Sequence, residues 1–407
     1  MVKRFLELLR FEVDGLHKAA YLLAFSSFLS QILALLRDRL LAHSFGADRT
    51  LDLYYAAFRI PDFLLATLGS MVSISVLIPF LIERAATGEK ESRRLFQEVF
   101  TVFSWCCVAF STILFFLIPF LIPSLFPGFS SAEGQATVTL SRILLLSPFF
   151  FGLSNLFASI VQIHQKFFIY ALSPLLYNLG IIAGILFLYP LFGLPGLALG
   201  VVCGAFFHMI IQLPTIVRHG YLPRLVYIER WQEVKKVALL SLPRTLALST
   251  SQLVLIFLTA LASLGREGSI AVFSLAFNLQ SAPLIIFGVS YATAAFPTLS
   301  KYFSEGNRVK FLEQMSTAVR HILFWTLPAI ALLIVLRAQV VRLVLGSGNF
   351  SWTDTRLSAA CLALFAFSLA AQSLVLLFMR GYYASGNTNR PLIINMCSAV
   401  VTIVPSP

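Results

Sequence analysis

Long apolar segments separated by short polar turns run through the whole 407-residue chain. A helix needs about 20 apolar residues to cross a bilayer, and windows of that length predict about eleven spans. The first six cover residues 19–42, 53–82, 97–125, 136–164, 168–189 and 193–217, and the other five cover 234–264, 268–300, 310–346, 355–383 and 389–405. This pattern predicts an all-α polytopic membrane protein.

The two sets of spans resemble each other. The second and eighth spans share an ordered Phe, Pro and Gly, namely Phe58, Pro61 and Gly69 in one and Phe277, Pro283 and Gly288 in the other. The sequence PLLYN that ends at Asn178 is echoed by PLIIN, which ends at Asn395. Such a repeat predicts two pseudo-symmetric helix bundles, 1–217 and 237–407, joined by a cytoplasmic linker at 218–236. A sixth helix of the second bundle would follow Pro405, so we expect that bundle to be incomplete and the C-terminal end to be truncated.

Composition supports a membrane protein and leaves no soluble domain of useful size. The chain is 58% hydrophobic and only 12% charged, with a mean hydropathy of +0.86, whereas soluble domains are about 25% charged. The net charge of +12 comes from basic residues in alternate loops. By the positive-inside rule this distribution predicts a cytoplasmic N-terminus. It also accounts for the net positive charge without nucleic-acid binding. Five cysteines lie in apolar segments without metal-ligand spacing, so no metal site is predicted.

Ionisable residues near the first two spans are the strongest functional candidates, because charge inside a membrane usually faces a protein interior or a wet cavity. Arg37 and Asp38 share a helix face with Gln31 near the end of the first span. A guanidinium binds phosphate oxygens through two parallel hydrogen bonds, so Arg37 is a candidate phosphate or diphosphate contact that Asp38 orients. The alternative is an interfacial Arg–Asp pair that fixes the depth of the helix.

Arg59 precedes Pro61 in the second span and is flanked by apolar residues. Pro61 removes a backbone hydrogen bond and Gly69 loosens the same helix, which predicts a bend that could serve gating. The alternative is a packing kink in which Arg59 pairs with Asp52 or Asp62. Pro283 and Gly288 predict a matching bend in the eighth span.

Arg244 follows Pro243 early in the seventh span, and Gln252 continues a polar stripe along that span. Arg244 is either a second cavity cation or a marker of the cytoplasmic edge. Arg142 and Arg320 are similarly ambiguous. Amide side chains inside the spans, among them Asn178 and Asn278, are more often interhelical hydrogen-bonders than ligands.

No enzyme signature is present: the chain has no Walker loop, no GxSxG and no HExxH. We therefore predict a transporter without a cofactor, driven by an ion gradient, the membrane potential or the substrate gradient.

The segment LLRDRLLAHSFGADRTLDLYYAAFRIPDFL, residues 35–64, resembles the start of the MurJ (MviN) lipid II flippases of the MOP exporter superfamily. The family hallmark is R-D-x-x-x-A-x-x-F-G-A followed by D-x-x-x-x-A-F-[RK]-[IL]-P-N. The similarity continues through PLLYNLGII and FGVSYATAAFPTLSKY and so covers essentially the whole chain.

The resemblance implies two MATE-like six-helix lobes around a cationic cavity, which carries the undecaprenyl-diphosphate-linked peptidoglycan precursor, lipid II, to the outer leaflet of the bacterial cytoplasmic membrane by alternating access. It implies that Arg37 binds diphosphate, that Arg59 adds positive potential and that Asp52 acts near the outward gate. Membrane lipids and cell-wall synthesis proteins are the implied partners.

The chain departs from the family pattern at several cations. The family commonly has a further arginine before the R-D pair, where this chain has Gln31, and L-L-R-R after the proline, where it has Leu64-Leu65-Ala66-Thr67. A cavity arginine of the eighth span is replaced by Asn278. We hypothesise that Arg244 supplies part of the missing charge. The family's two extra C-terminal helices are also missing from this sequence.

The prediction is a lipid II flippase. One alternative is another MOP-superfamily exporter of a polyprenyl-linked oligosaccharide or amphipathic small molecule. The other is a non-transporting scaffold or a degenerate truncated copy.

Overall fold

The computed structural model describes residues 16–69, 74–387 and 389–403, and these residues are almost entirely helical. Eighteen α-helices follow one another in this part of the chain: α1 Leu16–Phe45, α2 Arg49–Ala57, α3 Arg59–Leu64, α4 Ile74–Thr87, α5 Glu89–Leu125, α6 Ser131–Leu144, α7 Leu146–Ile163, α8 Phe167–Ala183, α9 Tyr189–Phe192, α10 Leu194–Ile210, α11 Leu213–Arg218, α12 Trp231–Ser263, α13 Ser269–Pro283, α14 Ser290–Ser304, α15 Arg308–Val335, α16 Arg337–Val344, α17 Trp352–Ala384 and α18 Asn389–Ile403.

Among the described residues, each predicted span is mainly helical, and the prediction of an all-α polytopic membrane fold is confirmed. Eight of the described helical stretches are long and apolar enough to cross a bilayer. The predicted number of about eleven is compatible with this, since the first, second and last predicted spans are helical as well.

The described residues form two compact units. Unit 1 comprises residues 16–37 and 56–264, and unit 2 comprises 38–55 and 265–403. Helix α12, which the sequence repeat places in the second bundle, belongs to unit 1. The turn at 46–48 and residues 49–55 of helix α2, which the repeat places in the first bundle, belong to unit 2.

Small residues allow α8 and α10 to pack backbone against backbone in unit 1. A Cβ added at Gly200 would lie 2.4 Å from the Cα of Gly184, and one at Gly180 would lie 2.3 Å from the Cα of Gly204. Glycines spaced four residues apart form one face of each helix, as in the small-xxx-small packing of membrane helices. A side chain at Gly180 or Gly200 would therefore collide with the backbone of the facing helix.

Two prolines in unit 1 each leave a backbone carbonyl without its helical hydrogen-bond donor. Two consecutive residues of α6 donate to these carbonyls from their side chains. Pro61 has no N–H for the carbonyl of Ala57, and the hydroxyl of Ser141 donates to that carbonyl at 3.1 Å. Pro119 has none for the carbonyl of Phe115, and Nε of Arg142 donates to it at 3.0 Å. Helix α6 therefore stabilises two irregular points on neighbouring helices.

Both helices predicted to bend contain a π-helical turn directly after the proline-bearing segment. In the second span the π turn is Leu65–Gly69, and in the eighth it is Leu284–Val289. A third lies at Gly184–Leu188. Single π turns inside α-helices concentrate at functional positions, so their recurrence at matching places of the two halves supports the repeat seen in the sequence.

Unit 2 has a compact core where α14, α15 and α17 meet. Leu299, Ile322 and Leu377 are fully buried there, beside the small residues Ala292, Ala295 and Ala318. Small side chains on α14 let the helices approach closely, and the larger aliphatic residues fill the remaining space.

Candidate functional site

The side chain of Arg37 is held inside unit 1 by an amide network. Its Nη1 donates to Oδ1 of Asn178 at 3.3 Å. The Nδ2 of Asn178 in turn donates to Oγ of Ser30 at 3.3 Å and to the carbonyl of Pro174 at 3.1 Å. Asn178 is neutral, so its bond orients the guanidinium without cancelling the positive charge.

Arg37 shares its surroundings with charged residues of the second span. The phenol of Tyr177 interacts electrostatically with both Arg37 and Asp62, and Asp62 interacts with Arg59. Side chains from α1, α3 and α8 therefore converge in unit 1 on one polar cluster, which we call the Arg37 cluster: Arg37, Arg59, Asp62, Tyr177 and Asn178. Arg37, Arg59 and Asp62 are each half-buried, so part of every charged side chain is accessible.

A hydrogen bond joins the polar stripe predicted on the seventh span to the second span. The hydroxyl groups of Thr67 and Ser249 are 2.9 Å apart, and Thr67 also donates to the carbonyl of Phe63 at 2.8 Å. Oε1 of Gln252 is buried without a hydrogen-bond partner among the described residues. Arg244 is exposed. Gln31 is half-buried on α1.

Asp38, the neighbour of Arg37, belongs to unit 2 and is only 3% exposed. Its Oδ2 accepts a hydrogen bond of 3.1 Å from Nδ2 of Asn278 on α13. Asn278 is thus engaged with a carboxylate. This bond links the end of α1 to α13 within unit 2.

Asp52 binds the start of α13 in unit 2. Its two carboxylate oxygens accept hydrogen bonds from the backbone N–H groups of Gly268, at 2.7 Å, and Ala271, at 2.8 Å. A carboxylate at a helix N-terminus satisfies N–H groups that have no helical partner and complements the helix dipole. Gly268 has φ +82° and its added Cβ would lie 1.9 Å from the carbonyl oxygen of Ala47, so glycine is required at this contact.

Asp48 and Asp52 lie in the segment between the first two predicted spans. Burial raises the pKa of Asp52 to about 6, although the N–H groups of Ala271 and Gly268 and the charge of Arg49 favour the ionised form. Burial also raises the pKa of Asp48, against the hydrogen bonds from Leu51 and Thr50. Both carboxyl groups therefore sit in a poorly hydrated segment, Asp48 just before α2 and Asp52 in its first turn.

The basic linker is fixed to the start of α5 in unit 1. Glu98 is fully buried and accepts hydrogen bonds from the backbone N–H of Arg230, at 3.1 Å, and from Nε of Arg94, at 3.2 Å. Arg94 also pairs with Glu229 at 2.9 Å. The guanidinium of Arg230 also pairs with Glu91, so ion pairs hold the linker to α5.

The proposed gating residues lie at the helix irregularities. Pro61 and Gly69 are buried around the first π turn, and Gly288 lies in the second, where an added Cβ would be 2.8 Å from Oγ of Ser373. Pro283 is the last residue of α13. From the sequence, Asn178 is expected to form hydrogen bonds between helices, and Tyr177 is not among the predicted site residues. Their common signal is the PLLYN repeat, which places both beside Pro174.

No group of three or more His, Cys, Asp or Glu side chains in the described part of the chain could hold a metal ion.

Comparison with known proteins extends the similarity to the whole fold. A family profile described as "Lipid II flippase MurJ" matches residues 41–406. The Lipid II flippase MurJ of Burkholderia cenocepacia is 26% identical over 384 residues, covering 92% of this chain and 74% of the relative. The Probable lipid II flippase MurJ of Buchnera aphidicola is 28% identical over 395 residues, covering 93% of this chain and 75% of the relative.

Solved structures give the same result. A structure described as "Lipid II flippase MurJ, inward closed conformation" superposes with a TM-score of 0.80 at 27% identity, covering 94% of this chain and 80% of that one. An inward-facing MATE transporter of the MOP superfamily superposes with a TM-score of 0.69 at 18% identity, covering 92% and 93% of the two chains. At that identity the second match shows a shared fold only.

Proposed function

The chain belongs to the lipid II flippase MurJ family, and from this we propose that it moves lipid II from the inner to the outer leaflet of the bacterial cytoplasmic membrane. It is a multi-pass membrane protein of a transporter family. The orientation that fits this role has a cytoplasmic N-terminus, as the distribution of basic residues predicts.

The observation that carries the proposal is the Arg37 cluster. A diphosphate offers several anionic oxygens, and a guanidinium binds such oxygens through parallel hydrogen bonds and stays protonated at physiological pH. Arg59 adds positive potential through the same cluster, and apolar surroundings strengthen the attraction between a guanidinium and a phosphate. Asp62 lies near both, and we assign it the role of orienting the arginines while the site is empty.

Movement of the cargo requires the protein to alternate between two states, and we assign the bends to the π turns after Pro61 and Pro283. Single π turns inside α-helices are frequent at functional sites, and a few residues at the ends of elements commonly act as hinges. Asp52, bound to the start of α13, would hold the turn at 46–52 in one of these states. Energy comes from an ion gradient, the membrane potential or the substrate gradient.

The test is replacement of the resident flippase. A bacterial strain depleted of its own MurJ is supplied with the full chain, and lipid II in the outer leaflet is measured by its accessibility to an added enzyme that cleaves it. We expect growth and external lipid II to be restored, and both to be lost in Arg37→Ala. Arg320→Ala is the matched control, because that arginine is exposed and donates to Ser316 one turn away.

Absence of external lipid II in cells that contain the inserted wild-type chain would contradict the proposal. Restored growth with equal activity in Arg37→Ala would leave the transport function standing and would remove the Arg37 cluster as its site.

A further inference from the structure

A second polar site lies in unit 1, away from the Arg37 cluster. It is a lateral groove of about 440 Å³ between α5 and the pair α6 and α7. Val108, Phe116, Leu146 and Phe149 form apolar walls, and Arg142 and Ser111 are polar groups in the groove. Phe116 is 64% and Leu146 52% exposed on the outer surface of the helices. The groove therefore opens sideways toward lipid.

Arg142 lies at the edge of an apolar run. The residues of α6 before it, 131–141, include Glu133, Gln135 and several hydroxyl side chains, and the apolar run begins at Ile143. Helices α6 and α7 together form one of the stretches that can cross a bilayer. A guanidinium in a membrane-spanning stretch is costly unless it has partners.

One N–H group of Arg142 is engaged with the protein and holds the side chain in place. Nε donates to the carbonyl of Phe115 that Pro119 leaves without a helical donor, and the guanidinium carbon is 4.3 Å from the centre of the Phe115 ring. Among the described residues the two terminal NH2 groups of Arg142 have no hydrogen-bond partner, so four of about five N–H donors stay available. Oγ of Ser111 is also buried without a partner in the described structure.

We propose that this groove binds an anionic phospholipid, whose phosphate pairs with Arg142 and whose acyl chains lie against Phe116, Leu146 and Phe149. Phosphate is the bilayer group that best matches a fixed guanidinium, because two of its oxygens accept parallel hydrogen bonds. A net negative headgroup matches the uncompensated charge of Arg142, whereas a zwitterionic one carries its own cation. The charge pattern of the loops places this groove in the outer leaflet.

Binding is measured by native mass spectrometry on the purified full chain with three separate probes: phosphatidylglycerol, a diacylglycerol with the same acyl chains, and undecaprenyl phosphate. We expect phosphatidylglycerol to bind about tenfold more tightly than diacylglycerol, the range of one hydrogen-bonded charge pair. Arg142→Gln should remove this preference.

A second variant guards against damage to the kink at Pro119. Leu146→Trp fills the groove and leaves the bond between Arg142 and Phe115 in place, so it should weaken phosphatidylglycerol binding without unfolding the chain. Leu364→Trp is the matched control, since Leu364 is a 72% exposed position on α17 in unit 2.

Equal binding of phosphatidylglycerol and diacylglycerol by the wild type would overturn the proposal. So would an unchanged preference in both groove variants. Tighter binding of undecaprenyl phosphate than of phosphatidylglycerol, lost in Leu146→Trp, would assign the groove to a prenyl lipid and would also overturn it. None of these outcomes depends on whether the chain transports lipid II.

Discussion

The hydroxyl of Ser141 donates a hydrogen bond of 3.1 Å to the carbonyl of Ala57, the group that Pro61 leaves without a helical donor. A proline in a membrane helix is tolerated where a neighbouring side chain satisfies the freed carbonyl. Ser141 is fully buried, so water cannot replace it. Ser141, in the fourth predicted span, thus stabilises the irregular second span that carries Arg59 and Asp62.

Ser141→Ala should lower the free energy of unfolding by about 1 to 3 kcal/mol, because it leaves the Ala57 carbonyl buried and unpaired. Thermal unfolding in detergent measures this. Thr139→Ala is the control, since Thr139 is exposed and bonds within its own helix. Pro61→Ala adds a backbone N–H at residue 61 that can donate to the carbonyl of Ala57. In that background Ser141→Ala should therefore lower the free energy of unfolding by less. An equal cost in both backgrounds would refute the role of Ser141.

Gly200→Ala should destabilise the fold by about 3 kcal/mol, the upper part of the range for overpacking, because a methyl group there would meet the backbone of Gly184. Backbone cannot move aside as a flexible side chain can. Gly134→Ala is the matched control: Gly134 lies in α6 with nothing within 4 Å of an added Cβ, and the change should be neutral or slightly stabilising. Equal unfolding temperatures for the two variants would show that α8 and α10 can separate freely.

The carboxyl group of Asp52 should make stability depend on pH. Burial raises its pKa from the ordinary 3.8 to about 6, so the folded state binds the proton more tightly than the unfolded state. Stability from this group is complete below pH 3.8 and is lost as the pH rises through about 6. As the pH rises over that interval, the unfolding temperature of the wild type should therefore fall relative to that of Asp52→Asn.

Subtracting the Asp52→Asn curve removes the contribution of Asp48, whose pKa burial also raises. The difference in unfolding temperature could instead stay constant between pH 4 and 6 or change in favour of the wild type. Either result would show that the hydrogen bonds from Gly268 and Ala271 offset the cost of burying the carboxylate.

The bond between Asn178 and Arg37 gives a separate electrostatic prediction. Asn178→Asp would place a carboxylate 3.3 Å from Nη1 of Arg37, pair with it and reduce its attraction for an anionic cargo. Lipid II transport should fall about tenfold or more while the unfolding temperature is kept. Transport at the wild-type rate with an intact fold would argue that the charge balance around Arg37 does not control binding of the cargo.

Sequence alone predicted the helices, because apolar runs of membrane length leave few other structures possible. It also predicted Arg37, Arg59 and Asp52 as special, since charge near apolar spans is conspicuous. It could not predict which distant side chain meets each of them: Asn178 is 141 residues from Arg37, and Gly268 is 216 from Asp52. Ser141 was missed because a serine in an apolar helix gives no signal until the partner carbonyl is known. The two-lobe division stays a prediction.

The most direct test of the central claim is the affinity of the purified chain for lipid II, measured in nanodiscs made of a zwitterionic lipid. The account predicts that Arg37→Gln binds lipid II at least about tenfold more weakly than the wild type, as loss of a charged hydrogen-bond pair requires. Arg320→Gln should bind as the wild type does. Equal affinity of the wild type and Arg37→Gln would contradict the claim that this guanidinium holds the diphosphate.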